Sequence, residues 1–184
     1  YTRTIAHNAV TVFEPEQEFR APAKASNDGG QVFRQEPVTM EDIQPGGHAA
    51  LDGVFRYEHR DAFSYALGSA TKAYDAERVR LAEREIVYLR AAERPHPVVV
   101  VFDRVESAEA SYEKSFLLHA ANRPAVEENC CVIENGGGRL TCLTLLPEKA
   151  RLQLVGGPGN EFLVGGVNYP PERLSEQWKT IAGA

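Results

Sequence analysis

The chain has little of what redox, metal-binding or membrane proteins often use in quantity. Its 184 residues include three cysteines, one methionine and one tryptophan. No CxxC pair is present, which excludes a zinc ribbon. The continuously apolar stretch Val98–Phe102 is far shorter than the roughly 20 residues that a membrane-spanning helix requires. The sequence therefore predicts no membrane-spanning helix.

Signatures of common catalytic classes are missing as well. The glycine-rich pieces Gly156–Gly159 and Gly165–Gly166 lack the Lys-Ser/Thr of a phosphate-binding loop, and no βαβ pattern surrounds them. We interpret both as turns. The chain has no GxSxG elbow, and no cysteine lies in an evidently activating context. We assign no catalytic residue within this chain.

The charge of the chain limits its partners. The net charge is −6, although the hydrophobic fraction of 43% and the charged fraction of 25% are ordinary for a globular domain. A domain that grips nucleic acid or a sulfated polymer by itself normally has a basic surface. We therefore predict no nucleic-acid binding, and we expect a polyanionic partner to be held mainly by a region outside this chain.

What the sequence has in abundance is short β-type runs. Apolar or alternating stretches recur about every ten residues between turn residues, which is typical of a β-sandwich or barrel. We expect residues 1–184 to form one all-β domain, a large antiparallel β-sandwich that is incomplete at both ends. The predicted strands are Ala9–Phe13, Gln31–Arg34, Val54–His59, Phe63–Leu67, Val79–Leu89, Val98–Val105, Tyr112–Ala120, Cys130–Ile133, Leu140–Leu146, Arg151–Val155 and Glu161–Val164.

Four segments carry more specific expectations. Glu134–Gly138 lies between two apolar runs and predicts a tight hairpin, because Asn and Gly tolerate positive φ. The apolar run Val98–Phe102 predicts a strand covered on both faces. Glu14–Gln31 is polar and turn-rich, which indicates a surface excursion. Pro170–Ala184 has apolar residues at helical spacing and predicts a short helix.

The predicted strand Val79–Leu89 has an unusual charge pattern. Its arginines fall on even positions and would share one face of a regular strand. One interpretation is a basic stripe for an anionic saccharide. The interpretation that we favour is a solvated outer face balanced by nearby glutamates. The residues concerned are Arg78, Arg80, Arg84 and Arg90, with Glu77, Glu83, Glu85 and Glu93.

The cysteines Cys130, Cys131 and Cys142 leave two interpretations open. Adjacent cysteines rarely bond to each other because the geometry is strained. A bridge from Cys142 to either Cys130 or Cys131 is possible if the two segments pair as a hairpin. We favour the alternative, in which all three are buried thiols that act as small apolar residues.

A histidine placed directly before the first strand is the most suggestive single residue. His7 and Asn8 immediately precede the alternating run Ala9–Phe13. An imidazole on a fixed backbone is a good metal ligand. One histidine cannot hold zinc, which takes three or four protein ligands. We therefore expect the other ligands to lie upstream of this chain.

A zinc site formed entirely within this chain is an alternative. His7, Asp28 and His59 would form a self-contained zinc site, as in a metal-dependent hydrolase, although nothing in their spacing demands it. His119 ends the run Phe116–His119, and we interpret it as a hydrogen-bonded strand residue rather than a ligand.

Five stretches follow one another along nearly the whole chain: Arg3–Asn8 leading into Val10–Val12, Asn27–Gln31, Phe63–Tyr74, Val99–Val105 and Leu117–His119. In this order they resemble the β-sandwich domain of the heparinase II/III-like polysaccharide lyases. The second of them, Asn-Asp-Gly-Gly-Gln, looks most like the heparinase II branch. The chain departs from the family's Gly-Asp-Ala-Thr pattern at Ser69.

The resemblance implies an activity for the protein to which this chain belongs. Such enzymes join an (α/α) toroid to a central β-sandwich and cleave uronic-acid polysaccharides, of the heparin, heparan sulfate or alginate kind, by β-elimination. The reaction requires neutralisation of the uronate carboxylate, a base for the C5 proton and an acid for the leaving oxygen. The family's catalytic residues lie mostly in the toroid, which we expect upstream of this chain.

The resemblance also implies a metal site. The family holds a largely structural zinc ion through an upstream His, an upstream Asp and the His of an Ala-His-Asn motif, which matches His7. Arg3 and Asn8 would support this site through hydrogen bonds. The expected partners are an acidic polysaccharide substrate and the upstream toroid domain, with a homodimer as a further possibility, in the periplasm or outside the cell. The alternative function is a non-catalytic carbohydrate-binding or structural β-sandwich.

Overall fold

The computed structural model describes residues 3–17, 27–31, 37–90 and 95–169. The short α-helix α1 spans Met40–Ile43, and single 3-10 turns lie at Thr4–Ala6 and Thr71–Ala73. The strands are β1 Val10–Phe13, β2 Gly53–His59, β3 Phe63–Ser69, β4 Val79–Leu89, β5 Val98–Ser107, β6 Glu113–Phe116, β7 Ala125–Glu127, β8 Cys130–Asn135, β9 Gly138–Leu143, β10 Leu163–Val164 and β11 Val167–Asn168. The fold is all-β with several antiparallel sheets, as predicted.

The chain divides into two compact units. The central unit is Thr11–Ser115, and the terminal unit combines Tyr1–Val10 with Phe116–Ala184. The central unit contains the largest sheet, in the order β2-β3-β4-β5, and every neighbouring pair in it is antiparallel. The terminal unit contains the three-stranded sheet β7-β8-β9 and the small β10-β11 hairpin. Strands β1 and β6 pair with each other.

Most predicted strands are confirmed, some with shifted ends. The hairpin at Glu134–Gly138 is also confirmed: β8 and β9 pair up to Asn135 and Gly138, and Gly136 has the positive φ of 57° that suits the first residue of a primed turn. The strand predicted at Arg151–Val155 is wrong, because that segment has no regular structure. Two short strands, β7 and β11, were not predicted. Most of Gln31–Arg34, and all of the helix predicted at Pro170–Ala184, lie outside the described residues.

The environment of Val98–Phe102 differs from the prediction. These five residues belong to β5, which lies at the edge of the four-stranded sheet. Their side chains are 41–58% exposed rather than covered on both faces. A continuous apolar run is typical of a strand between two layers, but it does not specify position within a sheet. The edge position removes one neighbouring strand, and the exposure of successive residues shows separately that both faces are partly open.

The arginines in and next to β4 do not all share one environment. A register shift between Val79 and Leu81 leaves Arg80 in a bulge, so the alternation stops there. Arg84 lies opposite Asp103 and forms an ion pair with it at 2.6 Å, while Arg80 reaches Glu106 at 3.7 Å. These residues form the solvated, charge-balanced surface that we favoured, although their partners are on β5.

Arg78 departs from that interpretation, because it is fully buried. Its Nη1 donates to Oε1 of Gln17 at 2.6 Å, and its Nη2 donates to the carbonyl of Gly30. Burial lowers the pKa of the guanidinium, and the charges of Asp75 and Asp28 oppose that shift. The single guanidinium thus ties two loop segments of the central unit to the start of β4.

Few apolar residues are buried in the described part of the central unit, and two of them, Tyr74 and Val79, lie close to Arg78 in sequence. These buried apolar residues are Val12, Ala73, Tyr74, Val79 and Ala82. Within the described part of the chain, no helix is long and apolar enough to cross a membrane.

Replacing Arg78 with leucine should destabilise the protein by about 3 kcal/mol, because the carbonyl of Gly30 and the amide of Gln17 lose a charged donor inside the protein. The measurement is urea unfolding followed by far-ultraviolet circular dichroism. Arg80→Leu is the matched control, two residues away and exposed, and should change stability by less than about 0.5 kcal/mol. Equal effects of the two variants would contradict the structural role of Arg78.

Candidate functional site

The segment before β1 has a fixed backbone. Thr4 and Ile5, in the 3-10 turn Thr4–Ala6, are only 6% and 4% exposed. The amide of Ala6 donates to the carbonyl of Arg3, and the amide of His7 donates to the carbonyl of Thr4, both at 3.0 Å. Burial of two side chains and two local hydrogen bonds therefore hold the backbone on the N-terminal side of His7.

The backbone on the other side of His7 is held equally closely. The amide of Ala9 donates to the carbonyl of His7 at 2.8 Å, which makes a three-residue turn around Asn8. The amide of Leu117 donates to the carbonyl of Ala9 at 2.9 Å. Oδ1 of Asn8 accepts a hydrogen bond from the amide of His119 at 2.8 Å. The chain after β6 is thereby attached to the turn that carries His7.

Arg3 makes a further connection within the terminal unit. Its Nη1 donates to the carbonyl of Tyr169 at 3.2 Å, and its guanidinium carbon lies 5.5 Å from the centre of the Tyr169 ring. An arginine placed in this way combines a hydrogen bond with a cation–π contact. Arg3 and Asn8 therefore support the segment that contains His7 through contacts to the main chain of Tyr169 and His119.

His7 itself is exposed. An exposed imidazole on a backbone held at both sides is suited to bind a metal ion that other residues also contact. Among residues 3–17, 27–31, 37–90 and 95–169, no three His, Cys, Asp or Glu side chains come together as a metal-binding group. The donor chemistry of His7 fits one bond to zinc, and the described residues do not supply a full ligand set.

Asp28 and His59, the partners of His7 in the alternative site, each make local contacts. Asp28 is buried, and its Oδ1 accepts from the amide of Gly30 at 2.9 Å. Nδ1 of His59 lies 3.1 Å from Oγ of Ser64. The carboxylate of Asp28 thus stabilises a local turn.

The stretch Asn27–Gln31 has a structural role where it is described. The side chain of Asn27 donates to the carbonyl of Glu14 at 2.6 Å. Gly29 has a φ of 72°, and its carbonyl accepts from the amide of Val12 at 2.8 Å. A Cβ atom at Gly29 would lie 3.0 Å from the carbonyl carbon and oxygen of Val12. The motif therefore needs glycine because the turn packs directly against β1.

The stretch around Ser69 is a second polar turn. Oγ of Ser69 donates to the Asp52 carboxylate at 3.2 Å and accepts from the amide of Thr71 at 3.2 Å. Lys72 forms an ion pair with Asp52 at 2.7 Å. This hydrogen bond from Lys72 lowers the pKa of the Asp52 carboxyl. Because the Lys72 ammonium is engaged with a carboxylate, we interpret the group as a stabilised turn rather than a serine–lysine catalytic pair.

A third cluster was not found from the sequence. His59 and Ser64 lie opposite each other on β2 and β3, and Arg90 follows β4. Nη2 of Arg90 donates to Oγ of Ser64 at 2.6 Å and lies 3.2 Å from Nδ1 of His59. Because arginine only donates, this ring nitrogen of His59 is an acceptor. The residues are 26 and 31 positions from Arg90, so only the strand register brings them together.

One face of the four-stranded sheet carries exposed apolar and aromatic side chains. The register places Tyr57 and Ile86 on the same face as Tyr88 and Val101, because residues in one cross-strand row share a face and alternate residues repeat it. Tyr57 and Tyr88 are 66% and 39% exposed. The Arg84–Asp103 ion pair lies on the same face. Aromatic rings and an ion pair thus share one exposed face of this sheet.

No protein-family model matches the chain, and no curated protein matches it.

Replacing Asn8 with alanine should release the segment after β6 from the turn that carries His7. The amide of His119 would lose its acceptor, and its hydrogen exchange should become about two- to tenfold faster, as expected for loss of one hydrogen bond. Exchange measured by NMR or mass spectrometry tests this. Asn8→Asp keeps an acceptor oxygen and is the matched control. Unchanged exchange at His119 in the alanine variant would contradict the contact.

Proposed function

We propose that this chain is the β-sandwich part of a polysaccharide lyase of the heparinase II/III-like kind, which cleaves uronic-acid polysaccharides by β-elimination. The observation that carries the proposal is the state of His7, which is exposed and held by a fixed backbone in the motif that resembles the family's zinc-binding segment. The all-β fold agrees with the expected sandwich. The proposal assigns the catalytic base and acid to a toroid domain outside this chain.

In this proposal the residues of the chain hold the metal ion and its surroundings in place, and none of them is the catalytic acid or base. His7 would supply one bond to a zinc ion shared with an upstream His and Asp. The metal ion would join the sandwich to the domain that contributes those ligands, as a structural zinc does. Asn8 and Arg3 would keep the turn around His7 in place through the contacts to His119 and Tyr169. Their effect on the reaction would be indirect.

The charge of the chain agrees with the assignment of the catalytic groups to the toroid domain. A net charge of −6 repels an anionic polysaccharide, so the cationic groups that neutralise the uronate would lie mainly in the toroid. The proposal includes a periplasmic or secreted location, since such polymers are extracellular. A homodimer is compatible with it but is not required by any residue described above.

A second candidate is a non-catalytic carbohydrate-binding domain. The exposed aromatic face with Tyr57 and Tyr88 favours it, because sugar rings pack their C–H groups on aromatic side chains. In that case the chain would retain polysaccharide without cleaving it. A purely structural sandwich would do neither.

The full-length protein should release unsaturated uronate products from at least one uronic-acid polymer. Heparan sulfate, chondroitin, hyaluronan and alginate are incubated with it separately, and the ultraviolet absorbance of the new double bond is followed. Product from none of them would exclude the lyase. Retention of the protein in gels that contain the same polymers, without product, would instead identify the carbohydrate-binding alternative.

Zinc in the full-length protein should depend on His7. We expect about one zinc ion per chain, and His7→Ala should lower this content strongly because a ligand is lost. Metal analysis after gel filtration measures it, with circular dichroism to establish that the variant folds. His59→Ala is the matched control and should retain zinc. Loss of zinc in His59→Ala would point to the self-contained site, and full zinc retention in His7→Ala would contradict the assignment.

A further inference from the structure

The β8–β9 hairpin brings two of the three cysteines opposite each other. The register pairs Cys131 with Cys142, and it pairs Cys130 with Leu143. Directly opposite residues of an antiparallel pair project from the same face, whereas successive residues project from opposite faces. Cys131 and Cys142 therefore share one face of the sheet, and Cys130 lies on the other.

The hydrogen-bond pattern gives the spacing of this pair. The amide of Thr144 donates to the carbonyl of Asn129 at 2.8 Å, which extends the register by one hydrogen-bonded pair beyond β8 and β9. Hydrogen-bonded and non-hydrogen-bonded pairs alternate, so Cys131–Cys142 is again a hydrogen-bonded pair. Its Cα atoms are about 5.5 Å apart in such geometry, within the roughly 4.4–6.8 Å that disulfides span. The Cβ atoms of a hydrogen-bonded pair are also about 5.5 Å apart, beyond the roughly 3.5–4.5 Å of a relaxed disulfide, so closing this bridge must draw the two side chains together.

The same geometry disfavours the other bridges. The side chain of Cys130 points away from that of Cys142, and two cysteines with diverging Cβ vectors cannot be bridged without backbone movement. Cys130 and Cys131 are adjacent, and a bridge between neighbours is strained. All three cysteines are reduced and half-buried in this structure.

The neighbours of the pair keep the two sulfur atoms on an apolar face. Val126 lies opposite Cys131 on β7, and Ile133 and Leu140 form the next row on that face. No charged side chain belongs to these rows. Partial burial among apolar residues holds both thiols in place while leaving them accessible to a small reagent.

We propose that Cys131 and Cys142 form a cross-strand disulfide when the protein meets an oxidised small thiol such as glutathione disulfide. One protein thiolate attacks glutathione disulfide, forms a mixed disulfide and expels one glutathione thiolate. The second protein thiolate then attacks the protein sulfur of that mixed disulfide and expels the other. The two protein thiols lose two electrons and two protons in total, and glutathione disulfide becomes two glutathione molecules.

The reaction should respond to pH. Burial, together with the neighbouring thiols of Cys131 and Cys130, raises the pKa of the Cys142 thiol. The thiolate is the attacking species, so a raised pKa makes the reaction slow near neutral pH and faster in alkali. This bridge is independent of the proposed lyase function and would form in a binding domain as well.

The test uses the folded chain, reduced, desalted and then incubated with glutathione disulfide. Free thiols are blocked, and the protein is digested with trypsin without reduction. Cleavage after Arg139 separates β8 from β9, so a bridge appears as two linked peptides. The variants Cys130→Ser, Cys131→Ser and Cys142→Ser are treated in parallel, and circular dichroism identifies any that fail to fold. Cys131→Ala replaces Cys131→Ser if the latter does not fold.

Wild type and Cys130→Ser should give the linked peptides, with two of the three thiols lost per chain. The variants at positions 131 and 142 should not, or should form links at least about tenfold more slowly. Linkage in a variant of Cys131 as fast as in Cys130→Ser would overturn the proposal. So would a folded wild-type protein that forms no linked peptides or only mixed disulfides with glutathione.

Discussion

The buried guanidinium of Arg78 is the interaction on which the central unit most depends. A fully buried arginine is costly unless it is hydrogen-bonded, and the two terminal nitrogens of this one donate to Gln17 and to the carbonyl of Gly30. Both partners belong to loop segments that have no sheet of their own to hold them. Few apolar residues are buried in the described part of this unit, so the hydrogen bonds of Arg78 contribute much to holding these loops. Because the turn that contains Gly29 packs on β1, the position of β1 also depends on this centre.

The segment that carries His7 illustrates how a fixed backbone can present an exposed side chain. Two buried residues, Thr4 and Ile5, anchor a single 3-10 turn, and backbone hydrogen bonds continue through His7 to Asn8 and the chain after β6. His7 is exposed, while hydrogen bonds hold its backbone on both sides. An arrangement of this kind lowers the entropy lost when a ligand binds, which is the physical advantage of a preorganised site. This agrees with the proposed role of the chain, in which His7 binds a structural metal ion and takes no part in proton transfer.

In the sheets, the strand register decides which side chains share a face. On β8 and β9, the alternation of side chains separates three cysteines that are close in sequence into a pair and a single thiol. On β2, β3 and β4, the same rule gathers Tyr57, Tyr88 and the His59–Ser64–Arg90 cluster from distant parts of the chain. In each case the register decides which groups meet. A register shift of one residue would move the side chains of the shifted strand to the opposite face and separate the residues of both groups.

The sequence by itself determined the fold class, most strands and the hairpin at Glu134–Gly138, because these follow from local alternation and from the conformational freedom of glycine. It also singled out His7. Only the tertiary structure decided that Arg78, just before β4, is buried while Arg80, in the bulge between Val79 and Leu81, is exposed. It likewise decided that Val98–Phe102 is an edge strand and that Cys131 rather than Cys130 faces Cys142. Burial, strand order and register depend on residues far apart in the chain, and local patterns do not contain that information.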